Sequence, residues 1–276
     1  MNLGMVGVCS WSLQVKNISE LNGFTNKLGI QNVQIACGDP HHASWDEGDD
    51  MPIKAKNASF KLTGAMLGFP GEDYTTPQTI EKTGGFGDPA TRPERLERFK
   101  WSLQRVQDLG VNDIMFHAGF IPTMNDAGRK SFLQTLETVS TLANNIGVNV
   151  SFETGQESSE LLFTTLKELD RSNLFVNFDP ANMLLYDQGN SIEAVEMLGK
   201  YIRSVHLKDA KRPKIKGQWG EEVMLGKGEV NIPLFLKTLK KVGYSGPMSI
   251  EREVGSQQDR FNDILHAVEY LRELDV

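Results

Sequence analysis

Acidic and imidazole side chains stand at the ends of four consecutive apolar segments in the second half of the chain. They are Glu153 in SFETG, Asp179 in NFDPANM, His206 in VHLKD and Glu251 in SIERE. Short apolar segments of this kind are typical of buried strands. Because the carboxyl ends of the strands in a parallel barrel meet at one mouth, this placement predicts that the four side chains come together.

The chemistry suggested by this set is metal binding. Three carboxylates at the rim of an apolar core repel one another unless a positive charge lies among them. A divalent cation supplies that charge, and carboxylate oxygens with one imidazole favour Mn²⁺ or Mg²⁺, with Co²⁺ and Zn²⁺ also compatible. Each acid alone has a plainer explanation, because it could cap the following helix or pair with a lysine. All four in succession are harder to explain in that way.

The elements that would position these residues are predicted along almost the whole chain. Eight strand-like segments alternate with helical patterns, at residues 3–9, 33–37, 62–67, 113–117, 148–153, 175–179, 204–207 and 248–251. Eight strand–helix units predict an α/β fold, a (β/α)8 TIM barrel, formed by a single domain over residues 1–276. A doubly wound sheet is the alternative, but the first strand runs into CSWS and not into a glycine-rich turn.

Several helices carry start or stop signals. Thr91 and Glu94 predict a capping box for a helix over 93–109, and Gly110 predicts its end. Further helices are predicted over 125–146, over 232–242 after Asn231, and over 257–274. A helix over 46–58 is the least regular, because Pro52 interrupts it.

Two connections are unusually long for a barrel, at residues 68–90 and 209–229. Both follow strands, so both are expected on the same face as the predicted metal site. Loops of this length commonly act as lids or binding loops, and we expect the first to be a lid.

The composition limits the classes of function. The chain has 276 residues and a net charge of −7, and an acidic surface repels the phosphate backbone of nucleic acids.

The only two cysteines, Cys9 and Cys37, predict buried thiols in a reduced compartment, hence a cytoplasmic protein. The stretch MNLGMVGVCSW predicts a first strand and not a signal peptide, and no apolar run is long enough to span a membrane. The sequence is compatible with a homo-oligomer.

The sequence around the four strand ends resembles the xylose isomerase-like TIM barrels. The resemblance covers nearly the whole chain and is most specific over residues 148–251, in FETGQE, HLKDAKRP and LGKGEVNIPLFLKTLKKVGYSGPMSIERE. That family includes sugar and sugar-phosphate isomerases and epimerases, inosose dehydratase and isomerase relatives, and endonuclease IV. The resemblance implies one divalent metal ion held by Glu153, Asp179, His206 and Glu251.

The reaction implied by the epimerase branch is proton transfer at a sugar carbon, with Glu153 and Glu251 as the catalytic residues. A metal ion on a ketone oxygen and a neighbouring hydroxyl acidifies the C–H bond between them and stabilises an enediolate. One carboxylate removes the proton, and a carboxylate on the opposite face returns one, which inverts the centre. Return of the proton to the neighbouring carbon interconverts aldose and ketose instead.

Two of the residues expected to bind substrate are read from the resemblance. The epimerases carry Asp-x-x-His where this chain has Asp179 followed by Asn182, and an amide cannot take up a proton near neutrality. Asn182 therefore implies a different substrate or branch from the tagatose epimerases. Arg212 lies six residues after His206, where the epimerases carry a substrate-binding arginine, although Lys211 could serve instead.

Other candidates rest on position. His117 ends the fourth strand and is expected to contact substrate beside Glu153. Lys208 shares one side of its strand with His206, and it could bind a substrate hydroxyl, orient a carboxylate or simply pair with an acid. Aromatic residues could form an apolar wall for a sugar ring, namely Trp11, Phe69, Phe86 and Trp219. Gln156 and Glu157 are expected to open the fifth helix, and His41 and His42 to form a solvated turn.

Alternative functions remain open at this point. A lyase or dehydratase acting on a 3-keto sugar or inosose would need the same metal site, followed by loss of a substituent. Endonuclease IV needs three zinc ions and many histidines, whereas this chain has five histidines and is acidic. A non-catalytic sugar-binding barrel would not require proton-transfer carboxylates. The loop after the seventh strand carries four basic residues, Lys211, Arg212, Lys214 and Lys216. They could hold a phosphate or form a solvated face. Because the sequence has no glycine-rich phosphate cradle, it favours an unphosphorylated sugar.

Overall fold

The computed structural model describes residues 5–38, 45 and 47–274. Its centre is a closed barrel of eight parallel strands, which confirms the (β/α)8 prediction. The strands are β1 (Val6–Cys9), β2 (Asn32–Ala36), β3 (Lys61–Met66), β4 (Asp113–Phe116), β5 (Asn149–Glu153), β6 (Leu174–Phe178), β7 (Ile202–Leu207) and β10 (Met248–Ile250). Neighbours pair in chain order, and β10 closes the barrel between β7 and β1.

Helices cover the outside of the barrel. They are α1 (Ile18–Leu28), α2 (Met51–Lys56), α3 (Pro77–Thr83), α4 (Arg92–Leu109), α5 (Arg129–Asn144), α6 (Ser159–Leu169), α7 (Pro180–Leu185), α8 (Ser191–Leu198), α9 (Ile232–Lys241) and α10 (Gln257–Glu273). In α9 the buried residues recur at helical spacing, at Ile232, Phe235, Leu236 and Leu239, so one face of the helix packs on the strands. Among the described residues, no helix combines the length and apolar character needed to cross a bilayer.

The predicted end of α4 is confirmed, but its predicted beginning is wrong in detail. Gly110 ends the helix in the left-handed conformation, at φ 72°. The capping box between Thr91 and Glu94 is not formed, because Thr91 already has helical backbone angles and its side chain makes no capping hydrogen bond. Its hydroxyl instead donates to the carbonyl of Asp88 at 3.1 Å.

The long connections contain structure that the sequence pattern did not indicate. Residues 68–90 include the short helix α3, and the chain after β6 forms α7 and α8. Residues 209–229 include the antiparallel pair β8 (Asp209–Lys211) and β9 (Glu221–Val223). The Asp209 carboxylate accepts hydrogen bonds from three backbone N–H groups of the returning chain, those of Gly226, Gly228 and Val230, which fixes the base of this loop.

The predicted solvated turn at His41 and His42 lies outside the described residues. The strand and helix predictions otherwise agree with the observed elements to within a few residues, apart from the predicted helix over 46–58. That helix is reduced to α2, with Pro52 in its first turn, where a missing N–H costs no hydrogen bond.

Candidate metal and substrate site

The four strand-end side chains meet at the carboxyl end of the barrel. Glu153 is the last residue of β5, Asp179 follows β6, His206 lies near the end of β7 and Glu251 follows β10. One potential ligand atom from each lies within 4.8 Å of the others. All four are buried, and Asp179 and His206 are completely so. The predicted convergence is therefore present in the structure.

Strand pairing explains this convergence. The backbone N–H of Glu251 donates to Leu207 at 3.2 Å, so Glu251 stands level with the end of β7, beside His206. On the other side, the hydroxyl of Thr154 lies 2.8 Å from the Asp179 backbone N–H and 2.9 Å from its carbonyl oxygen. This double contact ties the end of β5 to the end of β6.

The His206 imidazole directs one nitrogen at the acids and the other away from them. Its Nδ1 lies 2.8 Å from Glu153 Oε1, 3.2 Å from Glu251 Oε2 and 3.7 Å from Asp179 Oδ2. Its Nε2 lies 2.8 Å from Gln34 Oε1. Since an amide oxygen only accepts, Nε2 carries the hydrogen and Nδ1 is left to bind a cation.

Two atoms at the centre of this cluster lack hydrogen bonds. Asp179 Oδ2 and His206 Nδ1 are buried and have no hydrogen-bond partner of acceptable geometry. Buried polar atoms are normally paired, so each unpaired one needs an explanation. Three carboxylates and one imidazole nitrogen around a common point match the oxygen-rich donor set of a divalent cation. The residues present thus fit the metal ion that the family implies.

Asp179 also caps a helix, which is the simpler role that the sequence allowed for each of these acids. Its Oδ1 accepts from the backbone N–H groups of Ala181 and Asn182, at 2.8 and 3.0 Å, and so caps α7. Its Oδ2 is the oxygen that faces the cluster. One carboxylate therefore both begins a helix and contributes a possible ligand.

The cluster displaces the pKa values of its acids in opposite directions. Burial raises the pKa of Glu153 despite the nearby imidazoles of His117 and His206. Burial also opposes ionisation of Glu251, but the charges of His206 and Lys208 outweigh it and hold the pKa of Glu251 at about 2. For His206, burial disfavours the charged form, yet the neighbouring carboxylates, Glu251 first, raise its pKa. The carboxylates thus attract positive charge to the Nδ1 atom of His206, as a proton or as a metal ion.

Lys208 is a second buried cation beside the cluster. Its Nζ lies 2.9 Å from Glu251 Oε2 and 2.6 Å from Glu253 Oε2. It also donates to Asn182 Oδ1 at 3.3 Å, while Asn182 Nδ2 donates to Glu153 Oε1 at 3.3 Å. Asn182 thus links Lys208 to Glu153. Lys208 is 2% exposed. Its contacts are ion pairs with acids, which was one of its predicted roles, and they also orient the carboxylates of Glu251 and Glu253.

A cavity of about 950 Å³ opens above the cluster. Glu153, Glu251, Asn182, His117 and Trp11 all line it, as expected of a substrate site. The Trp11 indole N–H donates to Glu251 Oε1 at 2.7 Å, and His117 Nε2 lies 3.2 Å from Glu153 Oε2. Each of the two expected catalytic glutamates is therefore held from the cavity side by an aromatic ring.

The structure does not bring three of the residues proposed for the substrate site to the cavity. Arg212 does not line the cavity; it pairs with Asp187 at 2.8 Å and donates to the carbonyl of Gly189. The loop containing β8 turns it outward, toward the end of α7. Phe69 and Phe86 are fully buried in a cluster of edge-to-face rings around Phe116, so they belong to the core.

Of the predicted apolar wall, Trp11 and Trp219 do line the cavity. Gln156 and Glu157 do not open the fifth helix, because α6 begins after Ser158, whose side chain accepts from the Leu161 N–H. Both residues are buried in the turn between β5 and α6, and Gln156 Nε2 lies 3.4 Å from the hydroxyl of Tyr186.

Some residues at the site were not anticipated from the sequence. Gln34 is a buried amide inside the apolar strand NVQIA, and a lone polar residue in such a strand is a signal that could have indicated it. Four others that were not anticipated line the cavity itself, namely Tyr74, Tyr186, Glu222 and Glu253. They lie in loops or short elements whose path depends on tertiary packing.

Comparison with known proteins agrees with this architecture. The family described as "Xylose isomerase-like TIM barrel" matches residues 24–274. A crystal structure of a xylose isomerase domain protein from Planctomyces limnophilus superimposes with a TM-score of 0.84 at 31% identity, covering 97% of this chain and 95% of that one. The structure of the IOLI protein with a bound zinc atom has a TM-score of 0.74 at 16% identity, covering 99% and 100% of the two chains, and shows the fold alone.

Curated relatives include sugar-phosphate epimerases. L-ribulose-5-phosphate 3-epimerase UlaE of Escherichia coli O1:K1 / APEC is 26% identical over 197 residues, covering 68% of this chain and 66% of that protein. The alignments span 61% to 66% of the length of the curated relatives.

Proposed function

The chain belongs to the xylose isomerase-like TIM barrel family, and we propose that it is a divalent-metal-dependent isomerase or epimerase of a keto or aldo sugar. One observation carries this proposal. Three carboxylates and an imidazole converge within 4.8 Å, and two of those carboxylates, Glu153 and Glu251, line a cavity large enough for a sugar. The epimerase activity of a curated relative supports the same reaction class.

The proposed metal ligands are Glu153, Asp179, His206 and Glu251. A divalent ion, when bound, supplies the positive charge that stabilises negative charge developing next to a sugar carbonyl. Mn²⁺ is the first candidate, because oxygen donors outnumber nitrogen donors, while Mg²⁺, Co²⁺ and Zn²⁺ remain compatible with this set.

The proposed proton transfer uses the two glutamates that line the cavity. Glu153 and Glu251 come from β5 and β10, which are separated around the barrel by β6 and β7, so they can address a substrate from different sides. A carboxylate takes the proton from carbon, and the second carboxyl returns one to the same carbon or its neighbour.

Other side chains would bind the substrate or orient the two glutamates in this scheme. His117 and Asn182 both line the cavity and contact Glu153, so they can hold substrate hydroxyl groups beside the transferring proton. Trp11 and Lys208 each donate to Glu251 and hold its carboxylate in place. Arg212 has no part in this proposal, because it points away from the cavity.

A lyase acting on a 3-keto sugar or inosose is the second candidate, and Tyr186 is the observation in its favour. Loss of a hydroxyl group after proton removal requires an acid that protonates the leaving oxygen. Tyr186 lines the cavity, so its phenol hydroxyl can lie beside a departing hydroxyl group of the substrate. In that reaction Tyr186 gives its proton to the departing oxygen, which leaves as water.

An abasic-site nuclease is not supported. Within the described residues, the possible metal-binding groups all share His206 and Glu251, so they provide one site and not three.

The proposal is tested by hydrogen exchange at carbon. The purified protein is stripped of metal with EDTA, reloaded with Mn²⁺ and incubated in D₂O with a series of free and phosphorylated keto sugars. Proton NMR should show loss of one C–H signal next to the carbonyl of at least one sugar, only in the metal-loaded protein. Accumulation of a dehydrated product would favour the lyase. Metal-loaded protein that exchanges no C–H in any sugar would contradict both.

A further inference from the structure

We infer that the sugar accepted by this cavity is uncharged, without a phosphate or other anionic group. The inference rests on the proposed function, since it concerns the substrate of the same site. It separates this chain from its curated relative, which is named for a phosphate ester. Three features of the cavity carry it: the sign of its lining charges, the engagement of its cations, and the direction of the basic loop.

The lining of the cavity is strongly acidic. Six acidic residues line it, Glu72, Asp73, Glu153, Glu222, Glu251 and Glu253, with a single arginine, Arg260. Of these, Glu72 accepts from the backbone N–H groups of Phe69 and Gly85, and Glu222 pairs with Arg252. Two of the six would be occupied by the proposed metal ion. The other four lie on three separate loops, after β3, in β9 and after β10. An anionic group on a substrate would meet like charge from several directions, in a recess where water screens charge poorly.

The cations near the cavity are already engaged. The Arg260 guanidinium donates to the backbone carbonyls of Gly255, Trp11 and Glu253. Lys208 contacts the carboxylates of Glu251 and Glu253 and does not itself line the cavity. A phosphate would have to break one of these sets of contacts to obtain a partner.

Arg252 is held in the same way. Its guanidinium bridges Glu222 and Asp263, at 2.7 and 2.8 Å. This bridge keeps a third cation near the mouth from offering donors to a ligand, and Arg252 does not line the cavity.

The basic residues after β7 do not supply a phosphate site. Arg212 is turned toward Asp187 and Gly189. The remaining three, Lys211, Lys214 and Lys216, are exposed and do not line the cavity. This part of the chain therefore presents its charge to solvent.

An uncharged sugar makes use of the same acids. Each sugar hydroxyl can donate a hydrogen bond, and ionised carboxylates are acceptors only. Glu253 and Asp73 both line the cavity, and the side chain of Glu253 is 48% exposed. They can accept hydrogen bonds from the hydroxyl groups of a neutral sugar, whereas an anionic group on the same sugar would meet their negative charge.

The test compares matched neutral and anionic ligands. Binding of L-ribulose and L-ribulose 5-phosphate, and of D-fructose and D-fructose 6-phosphate, is measured on the Mn²⁺-loaded protein through the fluorescence of Trp11 and Trp219. We expect at least one free ketose to bind, and its phosphate ester to bind at least about tenfold more weakly. Raising the salt concentration should reduce the ratio of the ester's dissociation constant to that of the free sugar, because salt screens the repulsion between the phosphate and the acidic lining.

Charge removal at the mouth provides the second arm. Glu253→Gln and Asp73→Asn should each lower the ratio of ester to free-sugar dissociation constants by roughly threefold or more. Glu137→Gln removes an exposed carboxylate from α5, far from the cavity lining, and should leave the ratio unchanged. A fall in the ratio confined to the two mouth variants supports the inference.

Several outcomes of these measurements would contradict the inference. A phosphate ester that binds as tightly as its free sugar, or binding of esters alone, overturns the inference, and so does the absence of binding by every free ketose. Binding of a free ketose without exchange of its C–H in D₂O counts against the proposed function and leaves the charge preference established.

Discussion

The Nε2 atom of His206 lies 2.8 Å from the side-chain oxygen of Gln34, on a strand that is not adjacent in the barrel. Gln34 is 4% exposed, and the thiol of Cys9 lies 3.6 Å from the same oxygen. The contact fixes the imidazole so that Nδ1 faces the three carboxylates. Partners of this kind, which orient a ligand and set its tautomer, are a regular feature of metal sites.

Replacement of Gln34 should therefore weaken metal binding. Gln34→Leu keeps a buried side chain of similar size but leaves the His206 Nε2–H group without an acceptor, and the affinity for Mn²⁺ should fall about 10- to 100-fold. Titration calorimetry measures it directly. The control is Gln31→Leu, an exposed position just before β2. Equal Mn²⁺ affinity in the Gln34 variant and the wild type would show that the contact is only structural.

Metal addition should stabilise the protein through the same four side chains. A ligand present at 100 times its dissociation constant stabilises by about 2.7 kcal/mol, which for a chain of this size corresponds to a rise in Tm of several degrees. Thermal melts with EDTA and with Mn²⁺ measure the difference. Asp179→Asn keeps an oxygen for the cap of α7 but loses the charge of Asp179, and should lose most of the rise. Asp108→Asn, on the exposed face of α4, should retain it.

The position of the candidate metal site could be predicted from the sequence because it follows from strand ends alone. Glu153, Asp179, His206 and Glu251 are each fixed by the end of a strand, and parallel closure brings strand ends together whatever the loops do. Strands have strong patterns, and register within a closed barrel leaves little freedom. The same reasoning placed His117 beside Glu153, and in the structure its Nε2 lies 3.2 Å from Glu153 Oε2.

Residues in loops could not be placed in this way. The family resemblance suggested Arg212 as a substrate-binding residue, but β8 and β9 form a hairpin, and Arg212 pairs with Asp187. Phe69 and Phe86 lie in a loop, yet they pack into the core against Phe116. Both outcomes depend on long-range contacts that no local pattern encodes. Gln34 was missed for another reason, since its role depends on a side chain 172 positions away.

The stability of the protein should fall as pH rises through a range set by Glu157. Burial raises the pKa of this glutamate from its ordinary 4.5 to about 8. The folded state therefore holds a proton that the unfolded state releases, so the stabilising contribution is complete below about pH 4.5 and is lost progressively up to about pH 8. The loss can reach a few kcal/mol, because a tenfold difference in proton affinity between the folded and unfolded states corresponds to about 1.4 kcal/mol.

Glu157→Gln should remove this pH dependence. The amide stays neutral at every pH, so urea denaturation should give a free energy of unfolding that changes less between about pH 5 and about pH 8 than it does in the wild type. Glu160→Gln, an exposed change in the first turn of α6, is the control. The same slope in wild type and Glu157→Gln would contradict the assignment.

The loop at 68–90 should act as a lid only in its first part. Residues 71–75 line the cavity mouth, whereas the stretch around Phe86 is pinned. The backbone N–H of Phe86 donates to Ala118 at 2.7 Å, and a Cβ on Gly85 would lie 2.1 Å from the Ala118 carbonyl carbon. Hydrogen exchange with a bound keto sugar should therefore slow at 70–76 and stay unchanged at 84–87. Equal changes in both stretches, or none in the first, would rule out this lid.

Glu153 and Glu251 should both be indispensable for proton transfer, beyond any role as ligands. Glu153→Gln and Glu251→Gln each leave an oxygen for the metal but cannot accept a proton from carbon, so exchange of the substrate proton in D₂O should fall by about 10²- to 10⁴-fold while Mn²⁺ occupancy falls less. His117→Ala removes a contact to Glu153 and should mainly weaken binding or slow the reaction. The double glutamine variant should be little worse than either single one, because residues that act as a unit are not additive. Occupancy is measured by elemental analysis on the same samples. If either glutamine variant exchanges at the wild-type rate with metal bound, that glutamate is only a ligand, and a single base on one face of the substrate must suffice.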